Sequence, residues 1–385
     1  MKQIIMITLY AGLCVLGAWL TDLCLRRWIR RARKIRPCWL IPYILCSLLP
    51  VTGALLPDSP AKNVLQAAGN IWLGLYLYYG GALVVLLAAA ALLRRRRPGW
   101  YGGILCVSLA ASVVLCGYGM YHARQSETIS YHLTLPKQTE GVDRMRIALI
   151  ADLHLGVNSS LVTTQRMVEQ VNAAEPDVVV VAGDIFNSSY TGLSHPDQYS
   201  RALRAIQSKY GVYAVCGNHD VVEPLLGGFA MTPVTKAFRS PEMETFFTES
   251  GFTILADETI LLPGGIQLAG RVDGEKAGNG TSDRLSPEQL LSELDPDLPV
   301  VVLEHEPVEF QALAEAGADL ILCGHTHAGQ IFPGNLIVPF FNENPWGYIP
   351  LYGADTVVTA GVGYYGPPMR VGTNSEVTII DLDFQ

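Results

Sequence analysis

The sequence predicts a layered α/β sandwich preceded by an all-α transmembrane region of four helices. Three observations carry this. Only 16% of the 385 residues are charged and 50% are hydrophobic, against about a quarter charged in an ordinary soluble domain, so part of the chain is not bathed in water. The charge is also divided: residues 1–122 hold 13 Lys and Arg against Asp22 and Asp58, a net +11, while residues 123–385 are net −19, giving −8 for the whole. Finally, the second part alternates short β-branched runs with polar loops and helical stretches. The charge division excludes a uniform globule, and the apolar content excludes intrinsic disorder. The acidic part argues against a nucleic-acid partner, because phosphate backbones select basic surfaces.

Within residues 1–122, four apolar runs (about 4–25, 39–56, 71–93 and 103–120) approach or reach the roughly 20 residues that cross a bilayer core. None contains Lys, Arg or Glu. Buried helices of a soluble core rarely reach four such lengths in succession. The first run is too long for a signal-peptide core and is followed by further spans. Pro42 and Pro50 predict that the second span is kinked or partly re-entrant. Arg26, Arg27, Arg30, Arg31, Arg33, Lys34 and Arg36 separate runs one and two, and Arg94 to Arg97 separate three and four. By the positive-inside tendency these loops are cytoplasmic, which places everything after about residue 122 outside. A multi-pass cell-membrane protein with an extracytoplasmic domain is therefore expected, with the bilayer as its first partner. Trp28, Trp39, Trp72 and Trp100 lie near span ends, as interfacial aromatics do. Six of the eight cysteines lie in or beside the spans, and no disulfide framework is visible.

Residues 123–143 read as a linker, and 144–385 as one domain. Its expected strands are Met145 to Ala151, Val178 to Ala182, Val212 to Cys216, Val300 to Leu303, Leu320 to Cys323 and Thr356 to Ala360. Continuous apolar strands suit a sheet buried on both faces. Helices fit over Ser160 to Ala174, Tyr199 to Tyr210, Ser286 to Leu294 and Glu306 to Ala316. Another starts at Pro241, with Ser240 as its N-cap.

The polar loops spell Asp152-Leu-His154, Gly183-Asp184, Gly217-Asn218-His219-Asp220, Glu304-His305-Glu306 and Gly324-His325-Thr326-His327, and hold five of the eight histidines. Each follows an apolar strand, where open α/β sheets bind ligands. Asp152, His154, Asp184, Asn218, His305, His325 and His327 are seven oxygen and nitrogen donors, enough for two divalent ions of Mn, Fe or Zn. The absence of cysteine argues against a structural zinc cage. Two such ions can clamp the attacking and leaving oxygens of a displacement at phosphorus and acidify a shared water, which is hydrolysis of a phosphate ester.

Taken together, Asp152-x-His154, Gly183-Asp184, Gly217-Asn218-His219-Asp220, His305 and Gly324-His325-x-His327 resemble the motif set of the calcineurin-like metallophosphoesterases, matched in order over roughly residues 144–385. The strings IADLHLG, VAGDIFN, AVCGNHD, LEHEP and CGHTHAGQIFPG resemble most closely the membrane-anchored bacterial branch of that family, which includes lipid-active UDP-2,3-diacylglucosamine hydrolases. The resemblance implies a four-layer α/β/β/α sandwich. It also implies that Asp152, His154 and His327 bind one ion, that Asn218, His305 and His325 bind the other, and that Asp184 bridges them. The nucleophile would be a bridging hydroxide, and His219 would face the phosphate and protonate the leaving alkoxide. Many relatives have an Asp three residues after the bridging Asp, orienting that His. Here the position is Asn187, which leaves its own amide oxygen or Asp220 as candidates for the task.

Two more regions are expected near substrate. Leu225, Leu226, Phe229, Met231, Phe238, Met243, Phe246 and Phe247 divide between core and an apolar lid. Arg370, with its planar fork, is a candidate for a phosphate oxygen, as Asn218 is beside the metals, and the polar-aromatic stretch Asn342 to Tyr348 would rim the site. Glu304 and Glu306 flank His305 and read as solvent-facing charge, with orientation of His305 as the alternative. The expected activity is hydrolysis of a phosphate ester or pyrophosphate on a lipid-linked or membrane-proximal substrate. The alternatives are a tethered phosphodiesterase for soluble nucleotides and a non-catalytic metal-binding scaffold.

Overall fold

The computed structural model describes residues 2–29, 32–94, 97–226, 229–230 and 237–385. Arg30, Arg31, Arg95, Arg96 and Met231, on which the charge and lid expectations partly rest, lie outside these. The chain divides into two compact units, one of Met1–Tyr121 with Pro224–Met231 and Gly366–Met369, the other of His122–Glu223, Thr232–Tyr365 and Arg370–Gln385.

The first unit is built on α1 (Lys2–Trp28), α2 (Ala32–Leu55), α3 (Pro60–Leu92) and α4 (Pro98–His122). Each contains a stretch long and apolar enough to cross a membrane. The second span is not re-entrant: α2 runs as one helix with Pro37, Pro42 and Pro50 inside it. Side chains tie it to its neighbour, since Tyr10 Oη donates to Ser47 O at 2.8 Å and Tyr43 Oη to Cys14 O at 2.7 Å. Asp22, the acid of the first span, is neutralised by Arg26 at 2.5 Å and Arg36 at 3.4 Å, as an ionisable group near a span end requires.

The second unit contains two six-stranded sheets. In chain order the strands are β1 (Ser126–Leu135), β2 (Arg144–Ile150), β3 (Val178–Ala182), β4 (Val212–Val215), the short β5 (Leu225–Leu226) and β6 (Phe229–Ala230), which belong to the first unit, β7 (Thr253–Ile254), β8 (Glu258–Leu262), β9 (Ile266–Gly270), β10 (Val300–Leu303), β11 (Leu320–Cys323), β12 (Gly347–Leu351), β13 (Ala354–Val358) and β14 (Ser375–Phe384). One sheet is ordered β1-β14-β2-β3-β4-β7 and the other β12-β13-β11-β10-β9-β8. The stretch 126–135, expected inside a linker, is an edge strand paired in parallel with all ten residues of β14. Its polar, every-other-residue pattern fits an edge with one wet face, and only Leu133 and Leu135 are buried.

Strand alternation makes the layers. Ile147, Leu149, Val178 and Val180 of the first sheet pack with Leu268, Val301, Leu303, Leu320 and Leu322 of the second, forming the core between the sheets. The intervening residues Ala148, Ile150, Val179 and Val181 face outward onto Met167, Val168 and Val171 of α5 (Leu161–Ala173), Leu203 of α6 (Pro196–Leu203) and Phe246 and Phe247 of α7 (Pro241–Glu249). On the far side Val300, Val302 and Ile321 pack on Leu290 and Leu291 of α8 (Pro287–Leu291) and Phe310 and Leu313 of α9 (Phe310–Glu315). The result is α/β/β/α, with both faces of the central strands buried. Met243, Phe246 and Phe247 are thus core rather than lid, while Phe238 is exposed. Ser240 caps α7 as expected, accepting from Met243 N.

Candidate metal centre

β2, β3 and β4 of one sheet and β10 and β11 of the other end in loops that bond to one another. Asp152 N donates to Gly183 O at 3.0 Å and His154 N to Asp184 O at 2.9 Å. His305 Nδ1 donates to Ala182 O at 2.8 Å, across the two sheets. Asp152 (φ 55°), His154 (φ 44°), Asp184 (φ 51°), His325 (φ 72°) and His327 (φ 50°) all adopt the left-handed region. That costs a non-glycine residue about 1 kcal/mol or more each and persists only where surroundings over-determine it. Gly183 (φ 78°) allows the crowding, because a Cβ there would lie 2.6 Å from His305 Nδ1.

The donors fall into two groups, Asp152–His154–His327 and Asp184–His305–His325, each with its ligand atoms within 4.8 Å of one another. In the first, His154 Nε2 and His327 Nε2 are 3.0 Å apart, and Asp152 Oδ1 stands 3.5 Å from His327 Nε2. In the second, His305 Nε2 is 3.2 Å from His325 Nδ1 and 3.3 Å from Asn218 Oδ1. Asp184 Oδ2 lies between the groups, 3.5 Å from His154 Nε2 and 3.3 Å from His305 Nε2. Two details fix which atoms face inward. The bond from His305 Nδ1 to Ala182 O leaves its Nε2 for the cluster, and Asn218 Nδ2 donates to Glu275 Oε2 at 2.7 Å, leaving its Oδ1 for the cluster.

Electrostatics follow from burial and mutual charge. Burial alone would raise Asp184, but His305, His219 and His154 around it hold it well below the usual carboxylate range. Burial would likewise lower His305, yet Asp184 and Asp152 raise it well above an ordinary imidazole. Burial pushes Asp152 up, opposed by His305 and reinforced by Asp184. Burial pushes His154 down to about 3 and His325 to about 4.

His219 overlooks both groups. Its backbone N–H donates to Asp184 Oδ1 at 2.8 Å, and its ring lies 5.2 Å from that of His154. The Tyr365 ring completes this wall, 5.2 Å from His327 and 6.2 Å from His219. Neither sequence-level candidate for orienting His219 reaches it. Asn187 Oδ1 is buried without a hydrogen-bond partner among the described residues. Asp220 accepts from Phe186 N at 2.7 Å and Gly217 N at 2.9 Å instead, pinning two loops together. Ser188 Oγ stands 2.8 Å from His219 Nδ1.

Arg370 is not displayed to a ligand. It is wholly buried, and its guanidinium donates to the carbonyls of Gly363 and Ala360 at 2.7 and 2.6 Å and of Asn374 and His327 at 2.8 and 3.3 Å. A fork satisfied by backbone holds the loops behind His327 together. Glu304 is also buried, against expectation, and pairs with Arg284 at 2.8 Å and Arg271 at 3.2 Å. Trp346 is partly exposed and donates to Glu376. Ser188 and Glu275 had no motif to mark them, since each acts through a contact distant in sequence.

Residues 145–329 match the calcineurin-like phosphoesterase family. The chain is similar to a transmembrane protein with metallophosphoesterase domain from Danio rerio, 30% identical over 294 residues, covering 72% of this chain and 62% of the relative. Its similarity to the Bos taurus protein of the same description is 30% over 282 residues, covering 71% of this chain and 61% of the relative. It is also similar to the uncharacterized metallophosphoesterase YkuE of Bacillus subtilis, 28% identical over 294 residues, 71% of this chain and 93% of that one. The chain thus spans about three-fifths of the length of the two animal relatives.

Proposed function

The chain carries a calcineurin-like phosphoesterase domain, and from that premise we propose that it is a membrane-anchored, dinuclear metal-dependent phosphoesterase acting on a lipid-linked or membrane-proximal phosphate ester or pyrophosphate. The observation that carries this is the pair of donor groups sharing Asp184 Oδ2 between them. The donors fit divalent cations: they are imidazole nitrogens and carboxylate or amide oxygens without thiolate, and inward-facing nitrogens such as His154 Nε2 and His327 Nε2 converge on one point. Asp152, His154 and His327 would hold one ion, Asn218, His305 and His325 the other, and Asp184 both. Bound ions of Mn, Fe or Zn would offset the charge of phosphoryl oxygens and acidify water near neutral pH. His219 stands where it can donate a proton from Nε2 to the leaving oxygen, and Tyr365 closes the same wall against bulk water.

The membrane-proximal substrate class is supported by the four apolar helices. It is supported also by an uncharged stretch shortly after His327 in which Phe340 and Phe341 are 82% and 79% exposed, side chains of the kind that dip into an apolar surface. The Arg-rich loops support an extracytoplasmic domain. A reporter fused after Gln385 tests this, and activity on the cytoplasmic side would overturn it.

The deciding experiment is a screen of purified full-length protein with Mn, Zn or Fe against aryl monoesters, aryl diesters, nucleotides and lipid pyrophosphates. Turnover that collapses in Asp184→Asn, with preference for lipid substrates, is expected. Preference for soluble nucleotides would favour the tethered phosphodiesterase, and no turnover with any substrate would favour a metal-binding scaffold.

A further inference from the structure

The proton donor's missing carboxylate has a counterpart elsewhere in the fold. In the loop after β3, Ser188 is fully buried, and its Oγ lies 2.8 Å from His219 Nδ1. The same hydroxyl donates to Glu223 Oε1 at 3.4 Å. Glu223 is itself buried and pairs at 2.5 Å with the buried ammonium of Lys276. The backbone fastens this arrangement: Ser188 N donates to His219 O at 2.9 Å, and Glu223 N to Ser188 O at 3.0 Å. A hydroxyl has one proton. With that proton committed to the Glu223 carboxylate, Ser188 Oγ can only accept from His219, so Nδ1 carries its hydrogen and Nε2 is left facing the cavity.

We propose that Ser188 and Glu223, braced by Lys276, are the positioning residues of His219 and perform through a hydroxyl relay what a carboxylate at position 187 would perform directly. This rests on the reading of His219 as proton donor to the leaving group. The relay fixes the ring plane and the tautomer. As the attacking water oxygen forms its bond to phosphorus and the bond from phosphorus to the leaving oxygen breaks, the leaving oxygen keeps the electron pair and takes the Nε2 proton. The imidazole is left neutral, with its Nδ1 hydrogen still on Ser188, and regains a proton from solvent. Asn187 is relieved of the task, consistent with its unpartnered Oδ1.

The test is Ser188→Ala in the full-length, metal-loaded protein, which removes one hydroxyl and leaves the Glu223–Lys276 pair intact. A general acid contributes most when the leaving group is poor. The kcat for an alkyl phosphoester should therefore fall about 10- to 100-fold, while that for the 4-nitrophenyl ester changes far less and metal content stays at the wild-type value. Ser188→Thr should restore the alkyl activity. A second readout needs no turnover: nitrogen chemical shifts of 15N-histidine should show the Nδ1–H tautomer of His219 in wild type and its loss in Ser188→Ala. Glu223→Gln with Lys276→Met, which removes both buried charges together, should give the same leaving-group bias. Equal losses for both esters, or an unchanged His219 tautomer, would overturn the relay alone. If His219→Ala left every substrate unaffected, the donor role itself would fall, and the relay with it.

Discussion

His154 Nε2 and His327 Nε2, 173 residues apart in the chain, face one another at 3.0 Å. At that separation one neutral ring can donate to the other, and the same two nitrogens can turn their lone pairs to a shared cation once that proton leaves. Together with Asp152 they mark a point where a cation would sit. Replacing His327 by Ala should reduce bound metal from two equivalents to about one, read by elemental analysis of the purified protein. Retention of both would show that the two groups do not hold separate ions.

Glu275 holds Asn218 by its Nδ2 and so aims the amide oxygen at the second group. Glu275→Gln presents a neutral amide whose oxygen or nitrogen can face Asn218, so the preference for one amide orientation weakens. Such outer partners are worth about 10- to 100-fold in metal affinity. Titration of the metal-free protein should show one weakened site and one unchanged, whereas unchanged affinity at both would count against the orientation.

Arg370 serves structure, and its substitution should be read in stability. Arg370→Ala leaves several buried carbonyls without donors, a loss of about 3 kcal/mol or more, and melting should drop by about 5–10 °C. Arg370→Lys, lacking the fork, should recover only part of this. A stable Arg370→Lys protein with a raised KM would instead point to phosphate contact.

Metal uptake should release protons. In the metal-free site, Asp184 and Asp152 hold His305 protonated above the ordinary imidazole range, and burial keeps Asp152 protonated above the ordinary carboxylate range. Both groups have raised pKa values, so near pH 7 each retains a proton that a cation must displace. His154 and His325, pushed down, are already neutral there. About two protons should therefore appear on loading near pH 7, measured by calorimetry in buffers of different ionisation enthalpy, and affinity should rise with pH. Affinity independent of pH between 6 and 8 would contradict these shifts.

Much of the architecture is legible in residue order. The runs at 147–150, 178–181, 300–303 and 320–323 are apolar at every position because each residue faces either the other sheet or a helix. The donors are legible because each follows such a run directly. Less legible was 126–135, whose polar alternation looks like a linker until the ten-residue pairing with β14 supplies its hydrogen bonds. The re-entrant alternative for α2 also misled, since helix continuity there depends on packing as well as propensity.

By itself, then, the sequence determined the apolar spans, the sandwich and the order of the donor loops, because hydrophobic periodicity and strand-end chemistry are local. The tertiary structure decided what each polar group does beside its neighbours. Arg370 and Asp220 are spent on backbone, and Glu304 is buried in an ion pair. The place of a carboxylate at Asn187 is taken by Ser188 and Glu223, residues 35 apart brought together only when two loops pack. Hydrogen bonds and charge pairs act within a few ångströms, and only the folded chain says which side chains come that close.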